Sequence, residues 1–421
     1  VIAGRQVASN AAYLAVLTLS NYLLGLLIFP YLSRVLSVEG FGLFGFSMAF
    51  VVIFQVVVEY GFMISATGKI AQHRDEPAKI GEIVATTMLA KGLLVVATVI
   101  GFLIVAQSIP MVREHFAFVA LFLVSVVITA LLPDYYFRGV EKMRGIAIRA
   151  VLSKLAALVL IVLVIKGDDQ LLLAPVALAA GNLLALVLGF AAILRAGVRM
   201  PVPRFRDAIV ELRDGAGFFA SRVAASVNQS AGSLVLGLQF APASVVMGQF
   251  AGASRISFAG ELAVIPISDA IYPHMVRNRD YALFRRVYLG GLAFWFVGCL
   301  IVFIWAEQLC VLILGQPYAA AGDLLRILVF GTFLAYSSYL FGYPALTPLG
   351  LARHANIGLL VSATVSVVAY VALWLTNGIT AESVCVVVAL GNLVVFLYRF
   401  VVLIANRRRI SSSLDSKETA G

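Results

Sequence analysis

Charge is what this chain has least of. Asp, Glu, Lys and Arg make up 12% of its 421 residues, against about 25% in soluble domains. Hydrophobic residues make up 62%, and the mean hydropathy is +1.01. Together these exclude a soluble globular protein. Cysteine is sparse too. Cys299, Cys310 and Cys385 show no metal-type spacing and have no histidine cluster near them, so they read as small core residues. The histidines His73, His115, His274 and His354 fall at helix ends or in loops, where a solvated side chain is the simple reading. Long polar stretches are missing as well. The longest before the tail, Arg195 to Asp214, holds at most an amphipathic surface helix, which leaves no room for a soluble catalytic domain. The first apolar helix is long and has no small-residue cleavage site at the right distance, so it is expected to stay in place rather than act as a cleaved signal.

What the chain does have is apolar stretches long enough to cross a hydrocarbon core of about 30 Å. They fall at 8–32, 41–65, 82–107, 115–137, 147–165, 170–194, 216–238, 243–272, 286–308, 321–345, 355–376 and 380–404. The expected fold class is therefore an all-α integral membrane protein of about 12 transmembrane helices. With the amino terminus in the cytoplasm, one set of connections carries Lys69, Arg74, Lys79, Arg138, Lys142, Arg144, the basic residues of 195–213, Arg277, Arg279, Arg285, Arg286 and Arg353. The other set has little beyond Arg34, Arg113 and Lys166. By the positive-inside rule both termini are expected to be cytoplasmic. The net charge of +10 is then mainly a topology signal, and nucleic acid is not an expected partner. Arg407-Arg408-Arg409 closes the last helix, and 411–421 reads as a disordered tail.

The basic stretch after the sixth span divides the chain. The reading is an N-terminal six-helix bundle over 1–200, a cytoplasmic linker over 201–214, a C-terminal six-helix bundle over 215–406 and a tail over 407–421. A weak internal repeat agrees with this. Asn21-x-x-x-Gly25-x-Leu27 in the first span matches Asn228-x-x-x-Gly232-x-Leu234 in the seventh. Each is followed by a glycine-containing segment, Gly40-Phe-Gly-Leu-Phe-Gly and Met247-Gly-Gln-Phe-Ala-Gly. Six helices per half makes the repeats parallel, related by an axis along the membrane normal. Two such bundles are expected to leave a central cavity between them.

Several polar residues fall inside the spans. Arg255 lies roughly 18 Å from the start of the eighth, near the bilayer midplane. A cation there costs about 2.5–3.5 kcal/mol on insertion scales, so it is expected to face a watery or anionic cavity, which points to a negatively charged ligand. Lys91, about 14 Å into the third span, and Arg222 and Lys154, each about 10 Å from a cytoplasmic end, are further cavity candidates; for them, snorkelling to the interface is the competing reading. Glu59, Asp134, Glu261 and Asp269 fall toward cytoplasmic helix ends. They are candidates for gate contacts or ion coupling, pairing with Arg138, Arg277 or one another, with a plain interfacial salt bridge as the alternative. Asn21 and Asn228, near mid-depth, can bond a ligand's hydroxyl groups or a neighbouring helix. Tyr13, Tyr22, Tyr336 and Tyr339 can stack against a ligand, although most aromatics here must serve packing.

The segments Asn10-Ala-Ala-Tyr-Leu, Phe29-Pro-Tyr-Leu-Ser-Arg-Val-Leu-Ser-Val-Glu-Gly-Phe-Gly-Leu-Phe-Gly and Glu59-Tyr-Gly-Phe resemble the first two helices of polysaccharide flippases. These belong to the multidrug, oligosaccharidyl-lipid and polysaccharide exporter superfamily. Phe137-Arg-Gly-Val-Glu-Lys-Met-Arg and Lys166-Gly-Asp-Asp resemble the same branch, so the resemblance runs over most of the chain. It implies a bacterial inner-membrane flippase for an undecaprenyl-diphosphate-linked oligosaccharide, as in O-antigen or exopolysaccharide assembly. Ala251-Gly-Ala-Ser-Arg-Ile is similar to the eighth helix of the related peptidoglycan-precursor flippases, where the matching arginine lines the cavity. The charged residues of those relatives' first two helices have no counterpart here, so contacts to a diphosphate would be arranged differently.

A diphosphate-sugar head group needs a hydrated path with cationic anchors while its polyprenyl tail stays in lipid. Arginine suits the task because its fork of donors engages phosphate oxygens in pairs. The implied mechanism is alternating access, without a cofactor and with coupling to a proton or sodium gradient left open. Membrane lipids and the polysaccharide polymerase and chain-length machinery are the implied partners. A cation-coupled multidrug exporter of the same superfamily is the main rival, but its pattern calls for an acidic residue in the first helix, and residues 8–32 contain none. A membrane glycosyltransferase or polymerase would need a substantial periplasmic loop, and none of the outward connections is long.

Overall fold

A computed structural model of the chain describes residues 27–406. Among them the regular structure is entirely helical. Residues 27–35 form α1. It is followed by α2 (Val38–Glu59), α3 (Phe62–Gln72), α4 (Pro77–Ser108), a short α5 (Pro110–Glu114), α6 (Phe116–Ala130) and α7 (Asp134–Gly139). Next come α8 (Met143–Val164), α9 (Leu173–Arg195), α10 (Phe205–Phe240), α11 (Val245–Asn278), α12 (Tyr281–Ile304) and α13 (Ala306–Leu314). The series ends with α14 (Ala321–Phe341), a one-turn α15 (Tyr343–Leu346), α16 (Ala352–Leu375) and α17 (Ala381–Ala405). Ten segments among the described residues are long and apolar enough to cross a membrane. Of the twelve expected spans, the first lies mostly outside the described residues. The seventh falls within α10, where Arg222, Asn228, Gln229 and four serines dilute the apolar composition.

Local chemistry sets many helix ends. The Ser37 hydroxyl accepts from Gly40 N at 2.9 Å and starts α2. Ser244 does the same for α11, and Thr380 with Ser383 forms a reciprocal capping box at α17. Pro77 opens α4 at a position where a missing N–H costs nothing. Pro133 ends the α6 stretch, so the fourth span is broken between Ala130 and Asp134.

Packing divides the chain into two compact units, one of residues 27–40 with Ser47–Ser226 and the other of Phe41–Phe46 with 227–406. The boundary differs from the expected linker over 201–214. Residues 205–214 are not a separate linker: they are the first turns of α10, which runs unbroken for 36 residues. The segment 205–214 contains no Gly or Pro to interrupt it, and its carboxylates are held within the first unit. Lys69 Nζ lies 2.6 Å from both Glu211 Oε2 and Asp214 Oδ2, and Tyr60 stacks on Phe219 with ring centroids 4.7 Å apart.

The two units repeat the same order of elements. In each, a long span is followed by a short helix (α4–α5, α12–α13), then by a broken span (α6–α7, α14–α15), then by two unbroken ones (α8–α9, α16–α17). In the second unit the glycine-containing segments read as repeat partners meet at one helix crossing. A Cβ on Gly42 would stand 2.8 Å from Gly248 N, and one on Gly45 would stand 2.7 Å from the Ala251 Cβ. Small residues let these backbones approach as they do in membrane helix pairs. Elsewhere the surface is apolar. On α12, Leu289, Phe294, Phe296, Val297, Leu300 and Phe303 are all exposed, which water would not tolerate and hydrocarbon does.

Candidate functional site

In the first unit the sequence candidates come together at two helix breaks. The α2–α3 span breaks at Tyr60, whose φ of 47° ends α2. Glu59 just before it is ion-paired with Arg222 of α10 and accepts a bond from Gln55 Nε2 at 2.7 Å. Both partners sit deeper than expected. Glu59 is about 20 Å from the far end of α3, and Arg222 is about 26 Å from the start of α10. The pair is therefore not an interfacial bridge at helix ends, because the helices continue well past the limits read from hydropathy.

The second break, between α6 and α7, holds Asp134. Its carboxylate pairs with Arg149 of α8, not with the expected Arg138. The Arg149 guanidinium is buried, lies 4.9 Å from the Phe137 ring centroid and fits a space left by Gly189, whose Cβ would come within 2.5 Å of it. Arg138 is half-buried and forms no ion pair among the described residues. Lys91, 4% exposed, donates to the carbonyls of Ala130 at 2.5 Å and Leu132 at 3.4 Å and stands 5.1 Å from the Tyr135 ring centroid. It thus supplies donors to carbonyls freed by the break. It is also within electrostatic reach of Glu59, Asp134 and Arg222. The network sets three cations, Lys91, Arg149 and Arg222, against two carboxylates, Glu59 and Asp134, and carries one surplus positive charge. Lys154, half-buried on α8, has no ion pair or hydrogen bond among the described residues.

In the second unit Arg255 stands half-buried ten residues into α11, about 15 Å along it. The buried stripe of that helix, Phe250, Ala253, Ser257, Val264 and Ser268, faces α14, and the Ser257 and Thr332 hydroxyls bond at 2.8 Å. At 3.6 residues per turn Arg255 lies roughly 140–180° around the helix from that stripe, on the side that nearer the helix start carries Gly248 and Ala251 of the glycine crossing. Glu261 accepts from Asn392 Nδ2 of α17 at 2.9 Å. Asp269 is exposed and forms no ion pair with Arg277 or any other described residue. Asn228 bonds helix to helix, donating to Leu359 O and accepting from the Ser362 hydroxyl, each at 3.2 Å. Tyr336 is buried and its hydroxyl donates to Val287 O, a packing role. Asn21, Tyr13 and Tyr22 lie outside the described residues.

Two functional candidates escape a reading of the sequence. Arg149 is the first. The second is Arg399 of α17, buried, which donates to Ser338 O at 2.6 Å and Ala355 O at 2.7 Å. Each lies six positions from a helix end, where a basic residue is ordinarily solvated. The glycines beside them, Gly189 at Arg149 and Gly342 and Gly358 at Arg399, are a local hint.

A family profile described as polysaccharide biosynthesis protein matches residues 7–279, well over half of the chain. The chain belongs to that family. Among its relatives, a protein of Escherichia coli (strain K12) provisionally named an O-antigen transporter is 33% identical over 270 residues. That match covers 63% of this chain and 64% of the relative, a little under two thirds of its length. A protein of Shigella dysenteriae with the same name is 24% identical over 73% of this chain and 78% of its own. In fold, this family member superposes on the lipid II flippase MurJ in an inward closed conformation. The TM-score is 0.73 over 96% of this chain and 91% of that one, at 13% identity. An inward-facing multidrug resistance MATE transporter of the MOP superfamily gives 0.65 at 16% identity over 96% and 99%. These likenesses establish the architecture expected from the flippase-like segments: a multi-pass helical membrane protein of the transporter fold shared by MurJ and MATE proteins.

Proposed function

We propose that the chain is a flippase that moves an undecaprenyl-diphosphate-linked oligosaccharide from the cytoplasmic to the periplasmic leaflet of a bacterial inner membrane. The observation that carries this reading is Arg255, a half-buried guanidinium at mid-span on the side of α11 opposite Ser257 and Val264. Such a group is worth its insertion cost where it meets an anion, and paired donors suit a diphosphate. The surplus cation of the first-unit network supports the same ligand class. Family membership and the names of the relatives supply the saccharide.

In this scheme the head group enters from the cytoplasmic side, where the positive-inside asymmetry places both termini. The two repeats rock about it, and the polyprenyl tail follows through lipid. Release on the far side hands the repeat unit to the polymerase and chain-length machinery. No covalent step and no cofactor enter the cycle. A proton or sodium gradient, if it drives the step, would act on Glu59 or Glu261, the carboxylates bonded within the two units.

The test is the transbilayer location of the lipid-linked oligosaccharide in cells lacking the protein, complemented with wild type or Arg255→Ala. Accumulation on the cytoplasmic leaflet, cleared by wild type and not by the variant, supports the assignment. Normal arrival on the periplasmic leaflet without the protein overturns it and leaves a drug or ion exporter as the better account.

A further inference from the structure

A groove of about 480 Å³ lies at one end of the first unit, where α7 turns into α8 and α9 ends. Its charged groups are outside the network described above, although Phe137 is common to both. Its lining is divided: Lys142 and Arg144 stand at the lip, and Phe137, Ile148, Ala192 and Ala196 form the walls. The lip owes its shape to a tight turn. Glu141 adopts φ 56°, and Lys142 N donates to Phe137 O at 2.9 Å, closing α7 in the manner that usually uses glycine. A non-glycine residue there costs about 1–2 kcal/mol, and the turn it makes brings two cations side by side. The Glu141 carboxylate also lines the groove, but it is engaged by Arg74 at 3.1 Å. Lys142 and Arg144 are exposed and form no ion pair among the described residues.

The walls lead in one direction. Ile148 begins a row of exposed apolar side chains along α8, continued by Leu152, Leu155, Val159 and Leu163 at helical spacing, the row that meets hydrocarbon in a membrane span. At the end of α9 the small side chains of Ala192 and of the capping residue Ala196 leave the channel open beside it. The groove therefore joins a dicationic lip, at the level where two spans end, to an apolar track into the bilayer.

We propose that this groove is a binding site for an anionic membrane phospholipid, with the phosphodiester at Lys142 and Arg144 and an acyl chain along Ile148 between α8 and α9. Basic pockets between spans at the charged membrane face hold acidic lipid head groups in this way. A zwitterionic lipid offers the same chain but no net charge, and free phosphate offers the charge but no chain, so the divided lining selects a ligand with both. The site is separate from the transport network and stands whether or not the flippase assignment does.

The test uses the purified full chain in nonionic detergent. Retention of phosphatidylglycerol, phosphatidylcholine and inorganic phosphate is compared by native mass spectrometry. The variants are Lys142→Gln with Arg144→Gln, Ala192→Phe, and the control pair Arg285→Gln with Arg286→Gln, exposed residues at the start of α12. Phosphatidylglycerol is expected to be retained over phosphatidylcholine. The Lys142/Arg144 pair should weaken it roughly thirtyfold, about fivefold per basic residue, and Ala192→Phe should weaken it without any change of charge, while the control pair leaves it unchanged. Equal retention of the two lipids, equal loss in the control pair, or full displacement by inorganic phosphate would each overturn the proposal.

Discussion

The Arg149–Asp134 pair offers the sharpest test of how this fold is held. The Arg149 side chain is 5% exposed and that of Asp134 is 23% exposed. Breaking a buried pair by removing one partner costs about 3–5 kcal/mol, because the other charge stays buried and uncompensated. The asymmetry in exposure sets an order. Arg149→Met leaves a carboxylate that the protein encloses only in part, so its cost belongs near 3 kcal/mol, including the lost contact with Phe137. Asp134→Asn leaves a guanidinium almost fully enclosed, with Gly189 at its back, and its cost belongs near 5 kcal/mol.

For a unit of about 200 residues each kcal/mol moves Tm by about 2–4 °C. The expected losses are then roughly 6–12 °C for Arg149→Met and roughly 10–20 °C for Asp134→Asn. The double variant leaves no net charge behind and should recover most of the larger loss. Thermal unfolding of the detergent-solubilised protein, read by size-exclusion chromatography with tryptophan fluorescence, gives all four values. Additive losses, or a double variant less stable than either single one, would refute the pairing as the source of the stability.

Other expectations concern single contacts. Arg255→Ala should abolish flipping and Arg255→Lys should retain part of it, a difference of roughly tenfold or more for each charged hydrogen bond lost; a leaflet assay in complemented cells measures it. A double-mutant cycle on Glu59→Gln and Arg222→Gln should give a coupling of no more than about 1 kcal/mol, since both side chains are partly exposed, and a much larger value would argue against a contact that opens in each cycle. Gly42→Ala places a Cβ against the backbone at Gly248, Pro242 and Ser244; atoms that cannot rotate away make a loss of about 1–3 kcal/mol the expectation, checked by thermal unfolding. Lys91→Met should lower Tm by several degrees through the orphaned Ala130 carbonyl, and an unchanged Tm with lost transport would make Lys91 a ligand anchor instead.

Most spans were legible because hydrocarbon imposes one simple rule, about twenty apolar residues in a row, and ten segments between α2 and α17 obey it while α10 does not. The continuity of α10 was not. Residues 205–214 are charged and look like a linker, and only the carboxylate contacts with Lys69 show why they stay helical. The depth of Glu59 was misread for a related reason. Its span continues past Tyr60 into α3, and a single Tyr-Gly step does not announce a break that keeps the helix direction. The glycine segments at 40–45 and 247–252 were legible as a repeat, but not as the two sides of one crossing. Arg149 and Arg399 were hidden because the sequence places a basic residue near a helix end, and whether its side chain reaches out to the interface or in to a carbonyl depends on neighbours far along the chain.

Those neighbours sort the cations of the spans into two kinds. The fourth span of each unit is broken, by Pro133 in one and at Gly342 in the other. A break within hydrocarbon frees carbonyls that no water can satisfy. In the first unit Lys91 of α4 meets the demand, bonding Ala130 and Leu132; in the second, Arg399 adds a donor to Ser338 O, which also accepts from Gly342 N, and another to Ala355 O in the first turn of α16. A cation within a span is therefore no sufficient mark of a transport path, since Lys91 and Arg399 are both bonded to backbone carbonyls. What sets Arg255 apart is the face it occupies. Ser257, Val264 and Ser268 fix one side of α11 against α14, and the opposite side carries Arg255 together with Pro266 and Pro273. Each proline removes an N–H that would have bonded the carbonyl four residues earlier, so two further acceptors, those of Leu262 and Asp269, lose their helical partners along the same helix. A lipid-facing surface would not carry a guanidinium and two such carbonyls, so this side of α11 suits polar surroundings and not hydrocarbon.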